Sequence, residues 1–92
     1  MNQYRIFETD NFIRAIEKIR GRDKLFIENK LKGKAYPQLR VEPYYGNNIK
    51  KLKNFHPGTW RYRIGNYRVF YEINRNEKIV NIIGISTRQN AY

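Results

Sequence analysis

TWRYRIGNYRVFYEI, residues Thr59–Ile73, decides the fold. Polar and apolar residues alternate on both sides of Gly65-Asn66, a pair suited to a two-residue hairpin turn. With that turn, Arg63 lies directly opposite Arg68, and Arg61 opposite Phe70. One face of the hairpin then carries Trp60, Tyr62, Ile64, Tyr67, Val69, Tyr71 and Ile73, and is expected to cover helices. The other carries Arg61, Arg63, Arg68, Phe70 and Glu72. A slip of one residue would drive the arginines into the core, which argues for this register. Opposed like charges destabilise a strand pair. At ~5 Å they repel by about 3 kcal/mol at an effective dielectric near 20, and by under ~1 kcal/mol in water. Two resolutions stand at this point: the guanidiniums splay into solvent with Glu72 diluting their charge, or an anion sits between them. Guanidinium forks fit phosphate oxygens, and Phe70 beside Arg61 could stack on a base.

Working outward, Tyr4–Phe7 reads as a first strand. Thr9 or Asp10 can cap a helix whose Phe12, Ile13, Ile16 and Ile19 share one face, ended by Gly21. Asp23 can cap a second helix with Leu25, Phe26, Ile27 and Leu31 as its apolar residues. Gly33 and Pro37 predict a break near residues 33–36, with a short helix resuming from Pro37 and loop by Pro43 and Gly46. Lys50, Lys51 and Lys53 follow in a segment that Ile49 and Leu52 can anchor. Phe55–Gly58 is a loop leading into the hairpin, Lys78–Ser86 is the last strand, and a polar tail ends in Tyr92. The order β-α-α-β-β-β predicts an α+β fold: two N-terminal helices packed on a four-stranded, mainly antiparallel sheet, as one domain spanning residues 1–92.

The 92 residues allow one core and little more. There is no cysteine, which removes disulfides and thiolate chemistry. One histidine and eight scattered acids offer no metal-ligand cluster, so neither metal nor cofactor is expected. No signal-like apolar run or membrane span is visible, and a cytoplasmic location without a membrane partner is expected. The net charge is +11, and it is uneven. Residues 1–49 hold ten Lys/Arg against six Asp/Glu, while residues 50–92 hold nine against two. A basic half interleaved with aromatics points to a polyanion, nucleic acid first; a merely soluble surface or an acidic protein partner is the other reading.

YPQLRVEPYYGNNIKKLKN (residues 36–54), followed by the hairpin and then by ISTRQNAY (residues 85–92), resembles the RelE branch of the RelE/ParE toxin superfamily. The likeness covers residues 36–92 in detail and the N-terminal part in outline. It implies the toxin of a type II toxin–antitoxin pair, with a cognate antitoxin, ribosome and mRNA as partners. It further implies an endoribonuclease that cuts mRNA in the ribosomal A site without a metal. Basic side chains on the sheet and a tyrosine near the C-terminus carry that chemistry in the family. They match Arg61, Arg63, Arg68, Arg88 and Tyr92 here. Many relatives have lysine where Arg61 and Arg63 stand, a basic-acidic pair at Gln89 and Asn90, and some a further arginine at Ser86.

Metal-free cleavage needs a base for the 2′-OH, an acid for the leaving oxygen, and cations for charge developing on phosphorus. The two-histidine solution is closed to a chain whose one histidine, His56, sits beside Pro57. The four arginines can supply the electrostatic part. Tyr92 moves the proton, its phenol lowered by neighbouring arginines, or stacks on a base, or is a frayed terminus with no part in the reaction. Lys50, Lys51 and Lys53 grip RNA backbone or form a solvated run, and Trp60 reads as core sooner than as a base platform. Two other functions share the scaffold: a ParE-like inhibitor of DNA gyrase, and a non-catalytic module binding RNA or an antitoxin.

Overall fold

A computed structural model of the chain describes residues 3–53 and 58–87. Strand β1 (Arg5–Glu8) leads through Thr9 into helix α1 (Asp10–Glu17). Thr9 is the cap: its Oγ1 accepts from the Phe12 amide at 3.2 Å and donates to the Ile82 carbonyl at 2.8 Å, tying the helix start to the sheet. Phe12 and Ile16 turn into the core, whereas Ile13, placed on the same face by spacing, is exposed.

Helix α2 (Gly21–Lys30) begins two residues before Asp23, so Asp23 sits in its first turn rather than capping it. Its apolar residues divide. Ile27 and Leu31 are buried, and Leu25 and Phe26 are exposed. The expected break near residues 33–36 is instead a π-helical turn, Leu31–Ala35, that runs directly into α3 (Tyr36–Val41). Pro37 has no N–H and its ring crowds the carbonyl four residues back, at Gly33. The widened turn, in which the Tyr36 amide reaches the Leu31 carbonyl, accommodates both facts without ending the helix.

Strands β2 (Ile49–Lys51), β3 (Thr59–Ile64), β4 (Tyr67–Asn74) and β5 (Ile79–Thr87) complete the described structure. They form a five-stranded sheet with β1, in the order β1-β5-β4-β3-β2. This corrects the four-stranded expectation by one strand. β2 pairs with β3, and its three residues are too few to display an alternation. The sheet is mixed: β1 runs parallel to β5 and the other pairs are antiparallel. The β3–β4 register is the one read from the alternation, with Arg63 opposite Arg68 and Arg61 opposite Phe70. Gly65 has φ +56°, the positive angle a II′-type turn asks of its first central residue. A bulge in β5 leaves Ile83 unpaired between Gly84 and Ile82, and Asn11 Nδ2 donates to the Ile83 carbonyl at 2.8 Å.

The core lies between the helices and the inner sheet face. Tyr62, Tyr71, Val69, Ile82 and Val80 meet Phe12, Ile27, Leu31 and Leu39 there. Buried tyrosines keep partners for their hydroxyls. Tyr62 donates to Gln38 Oε1 at 2.7 Å, Tyr71 to the Pro43 carbonyl at 2.8 Å, and Tyr36 to Glu8 Oε2 at 2.5 Å. A Cβ at Gly46 would fall 2.3 Å from Gln38 Nε2, so a side chain there would displace the amide that accepts from Tyr62.

Burial, then the Glu8 hydrogen bond and charge, push the Tyr36 phenol far above its ordinary value of 10.0; burial does the same for Tyr71. Both groups therefore hold their protons in the folded chain at pH values where the unfolded chain releases them. Their contribution to stability is full below pH ~10 and is lost as pH rises from there toward the folded values. Urea midpoints measured from about pH 9 to about pH 11 should fall, and Tyr36→Phe should flatten that fall. An identical slope in the variant would show that Tyr36 is not a source of it.

Candidate nucleic-acid interface

Directly opposed residues on neighbouring strands share a face, so the register assembles the outer face row by row. One row reads Lys50 (β2), Arg61 (β3), Phe70 (β4) and Gly84 (β5). The next, toward the hairpin turn, reads Arg63, Arg68 and Ser86. The row on the other side reads Thr59, Glu72 and Asn81. Strands lie ~4.8 Å apart and alternate residues ~6.8 Å apart along a strand. Lys50, Arg61, Arg63 and Arg68 thus occupy a patch roughly 10 Å by 7 Å at the root of their side chains. One carboxylate, Glu72, stands on its border.

The loop before β2 helps to hold the cations. The Asn48 carbonyl accepts the Arg63 amide at 2.9 Å and Arg61 Nη1 at 3.2 Å. Arg61 is half-buried and oriented by that bond, whereas Arg63 is exposed. The Arg61 guanidinium is thereby drawn toward the β2 side, away from the opposed Arg63–Arg68 pair. The lysines do not act as a group. Lys50 joins the arginine face, Lys51 lies opposite Trp60 on the other face with its ammonium 5.8 Å from that ring, and Lys53 is exposed beyond the end of β2. Trp60 packs against the core and meets Tyr44 edge to face at 5.4 Å between centroids. Arg88 and Tyr92, like His56, lie outside the described residues.

Two clefts open at the hairpin tip. One of about 690 Å³ includes Asp23, Phe26, Gly65, Tyr67, Arg68 and Thr87 in its lining. The other, of about 420 Å³, includes Arg63. Tyr67 donates to Asp23 Oδ2 at 2.8 Å, which ties the first turn of α2 to the hairpin. That hydrogen bond, with burial and the Asp23 charge, raises the Tyr67 phenol. At the opposite end of the sheet, Tyr44 behaves differently. Burial pushes its phenol up, but hydrogen bonds from Arg75 and Tyr4 and the charges of Arg75 and Lys78 leave it lowered on balance. Tyr44 is away from the arginine face and does not enter this site.

The arrangement can hold an anionic group against several guanidiniums and offer the Phe70 ring beside it. Sequence reasoning missed the Asn48 carbonyl, which has no side-chain signature, and Phe26, which reads as one more apolar residue of its helix.

The profile of the family described as ParE toxin of type II toxin-antitoxin system, parDE, matches residues 7–92. No curated protein matches the chain. Among solved structures, a chain of the RelBE2 toxin–antitoxin complex of Mycobacterium tuberculosis superposes with a TM-score of 0.74 and 26% identity, covering 98% of this chain and 97% of that one. A chain of the archaeal RelE–RelB complex of Pyrococcus horikoshii gives a TM-score of 0.72 at 24% identity, with 99% and 100% covered. A chain of the intact RelBE complex of E. coli gives 0.68 at 20%, with 91% and 95% covered. The last two likenesses speak to the fold alone.

Proposed function

The chain belongs to the ParE toxin family of type II toxin–antitoxin systems and carries the fold of the RelE-like branch, and from that premise we propose that it is a ribosome-dependent endoribonuclease. The observation that carries this reading is the outer sheet face, where Arg63 stands against Arg68 and Arg61 against Phe70. Such a face suits an RNA phosphate with a base beside it, and the reading makes sense of like charges set opposite each other.

In the proposed reaction the ribose 2′-oxygen attacks its own phosphorus. The O2′–P bond forms and the P–O5′ bond breaks. The 2′-OH proton leaves to a base, and the departing 5′-oxygen receives a proton. Arg61, Arg63 and Arg68, with Arg88, stabilise the charge that gathers on the phosphoryl oxygens. Tyr92 is assigned the proton transfer at the 2′-OH or the stacking that aligns it. A site so lightly equipped depends on positioning, which a ribosome-held message supplies. Lys50, Lys53 and Phe70 are assigned to the RNA backbone and base, and Lys51 to the backbone past the strand edge. A cognate antitoxin that covers the basic face is the proposed regulator.

The test is primer extension on messages after induction. Breaks confined to translated regions are expected, and intact messages together with DNA-damage signalling would overturn the reading. That second outcome would favour gyrase inhibition, the reading that the ParE family match keeps in view.

A further inference from the structure

We infer that the smaller cleft at the hairpin tip, between α2 and the end of β3, is a second nucleotide subsite, binding a phosphate and an unstacked base of single-stranded RNA. It deepens the cleavage reading, since the strand it takes is the one the arginine face holds. The cleft measures about 420 Å³, within the ~300–1,000 Å³ range of small-ligand sites. Lys30, Lys34 and Arg63 line it together with Phe26 and Asn48, and among the described residues no carboxylate does. Of the acids on the helices, Glu17 and Glu28 line a different cleft with Glu8, Lys24 and Lys32, and Asp23 lines the larger cleft at the tip. The smaller tip cleft is thus lined by cations alone among its charged groups, whereas the cleft holding Glu8 is of mixed charge.

Two features equip the cleft for a nucleotide rather than for an anion alone. The first is Phe26, 44% exposed although it is a large apolar ring on a helix. Its Cε2 lies 3.2 Å from the place a Gly65 Cβ would occupy, so the absence of a side chain there lets the ring sit against the turn. It lines both this cleft and the one that holds Arg68. The Lys30 ammonium stands 5.9 Å from the ring centre. An exposed aromatic ring beside cations is the usual platform on which a single-stranded base stacks. The second is the π-helical turn that carries Lys34. Lys34, four residues after Lys30, shares its face and lines the same wall of the cleft. Such insertions recur at functional sites.

The full chain should be titrated with a fluorescein-labelled single-stranded oligoribonucleotide by anisotropy over a range of salt. Lys30→Gln/Lys34→Gln should weaken binding and reduce the slope of log K against log salt by about 0.7 for each phosphate no longer neutralised. Lys24→Gln/Lys32→Gln removes the same charge from the other wall and should leave the slope in place. Phe26→Ala should weaken binding about tenfold with the slope unchanged, and Phe26→Tyr should restore it. Lys30 and Lys34 are exposed, so the charge pair decides the matter even where Phe26→Ala fails to fold. The inference is overturned if wild type does not bind the RNA, if both lysine pairs weaken it alike, or if a glutamate-rich peptide displaces the RNA at lower concentration than unlabelled RNA does. Message cleavage measured in parallel separates the two readings. Wild type that binds but cuts nothing overturns the nuclease and leaves the cleft. Wild type that cuts, with Lys30→Gln/Lys34→Gln binding as tightly as it does, overturns the cleft.

Discussion

Arg68→Ala is expected to slow cleavage of translated messages by about 10²–10³-fold, the loss typical when one preorganised donor to a developing charge is removed. Arg68 faces Arg63 across the hairpin and lines the larger cleft at its tip, so it bridges the arginine face and the open solvent side. Arg68→Lys keeps the charge but loses the planar fork, and should fall between wild type and alanine. The fall should appear in kcat more than in KM, because a cation serving the transition state adds little to ground-state binding. Folding should not account for it. A companion variant at the exposed partner, Arg63→Ala, removes the like-charge opposition and should leave thermal stability unchanged or higher, by under ~1 kcal/mol. Unaltered circular dichroism alongside cleavage slowed to that extent is the expected pattern for Arg68→Ala. If Arg68→Ala cuts as wild type does, the arginine face is not the reacting site.

The hairpin could be read from the chain because two independent signals agreed there: strict alternation, and a Gly-Asn pair where the chain must reverse. The first helix had the same advantage, with Thr9 capping a periodic run. Where one signal was missing the reading failed. Ile49–Lys51 is a strand because β3 offers it an edge, a fact stored in residues 60–62 rather than in its own three. The parallel pairing of Arg5–Glu8 with residues 79–82 joins segments some seventy positions apart, and no local pattern encodes it. Gly33 and Pro37 are strong breakers, yet the backbone answered them with a wider turn that keeps the Tyr36 amide bonded. At the site, arginines on alternating positions were visible as a face, whereas consecutive lysines look like one group until alternation sends Lys50 and Lys51 to opposite sides. Phe26 was hidden by its type: an aromatic in a helix is expected in the core, and only its packing against the turn shows it exposed.

Tyr71→Ala should cost about 3–5 kcal/mol and Tyr71→Phe about 1–2 kcal/mol, and the smaller change tells more. The ring of Tyr71 is fully buried in the middle of β4, and its hydroxyl donates at 2.8 Å to the carbonyl of Pro43, itself buried. Phenylalanine keeps the ring and leaves that carbonyl without its donor in a place water does not reach. The penalty is that of an unsatisfied buried acceptor, and in a domain of this size it corresponds to a Tm lower by about 5–15 °C. Pro43 starts the loop that ends at Asn48, whose carbonyl holds both the Arg63 amide and Arg61 Nη1. Loosening the loop at its first residue should therefore reach the arginine face through its last. Cleavage by Tyr71→Phe, assayed well below its Tm, should show KM raised more than kcat is lowered, the mark of a positioning residue rather than a reacting one. A variant as stable as wild type would mean that the Pro43 carbonyl finds another donor; a destabilised variant with an unchanged KM would mean that the loop does not set the position of Arg61.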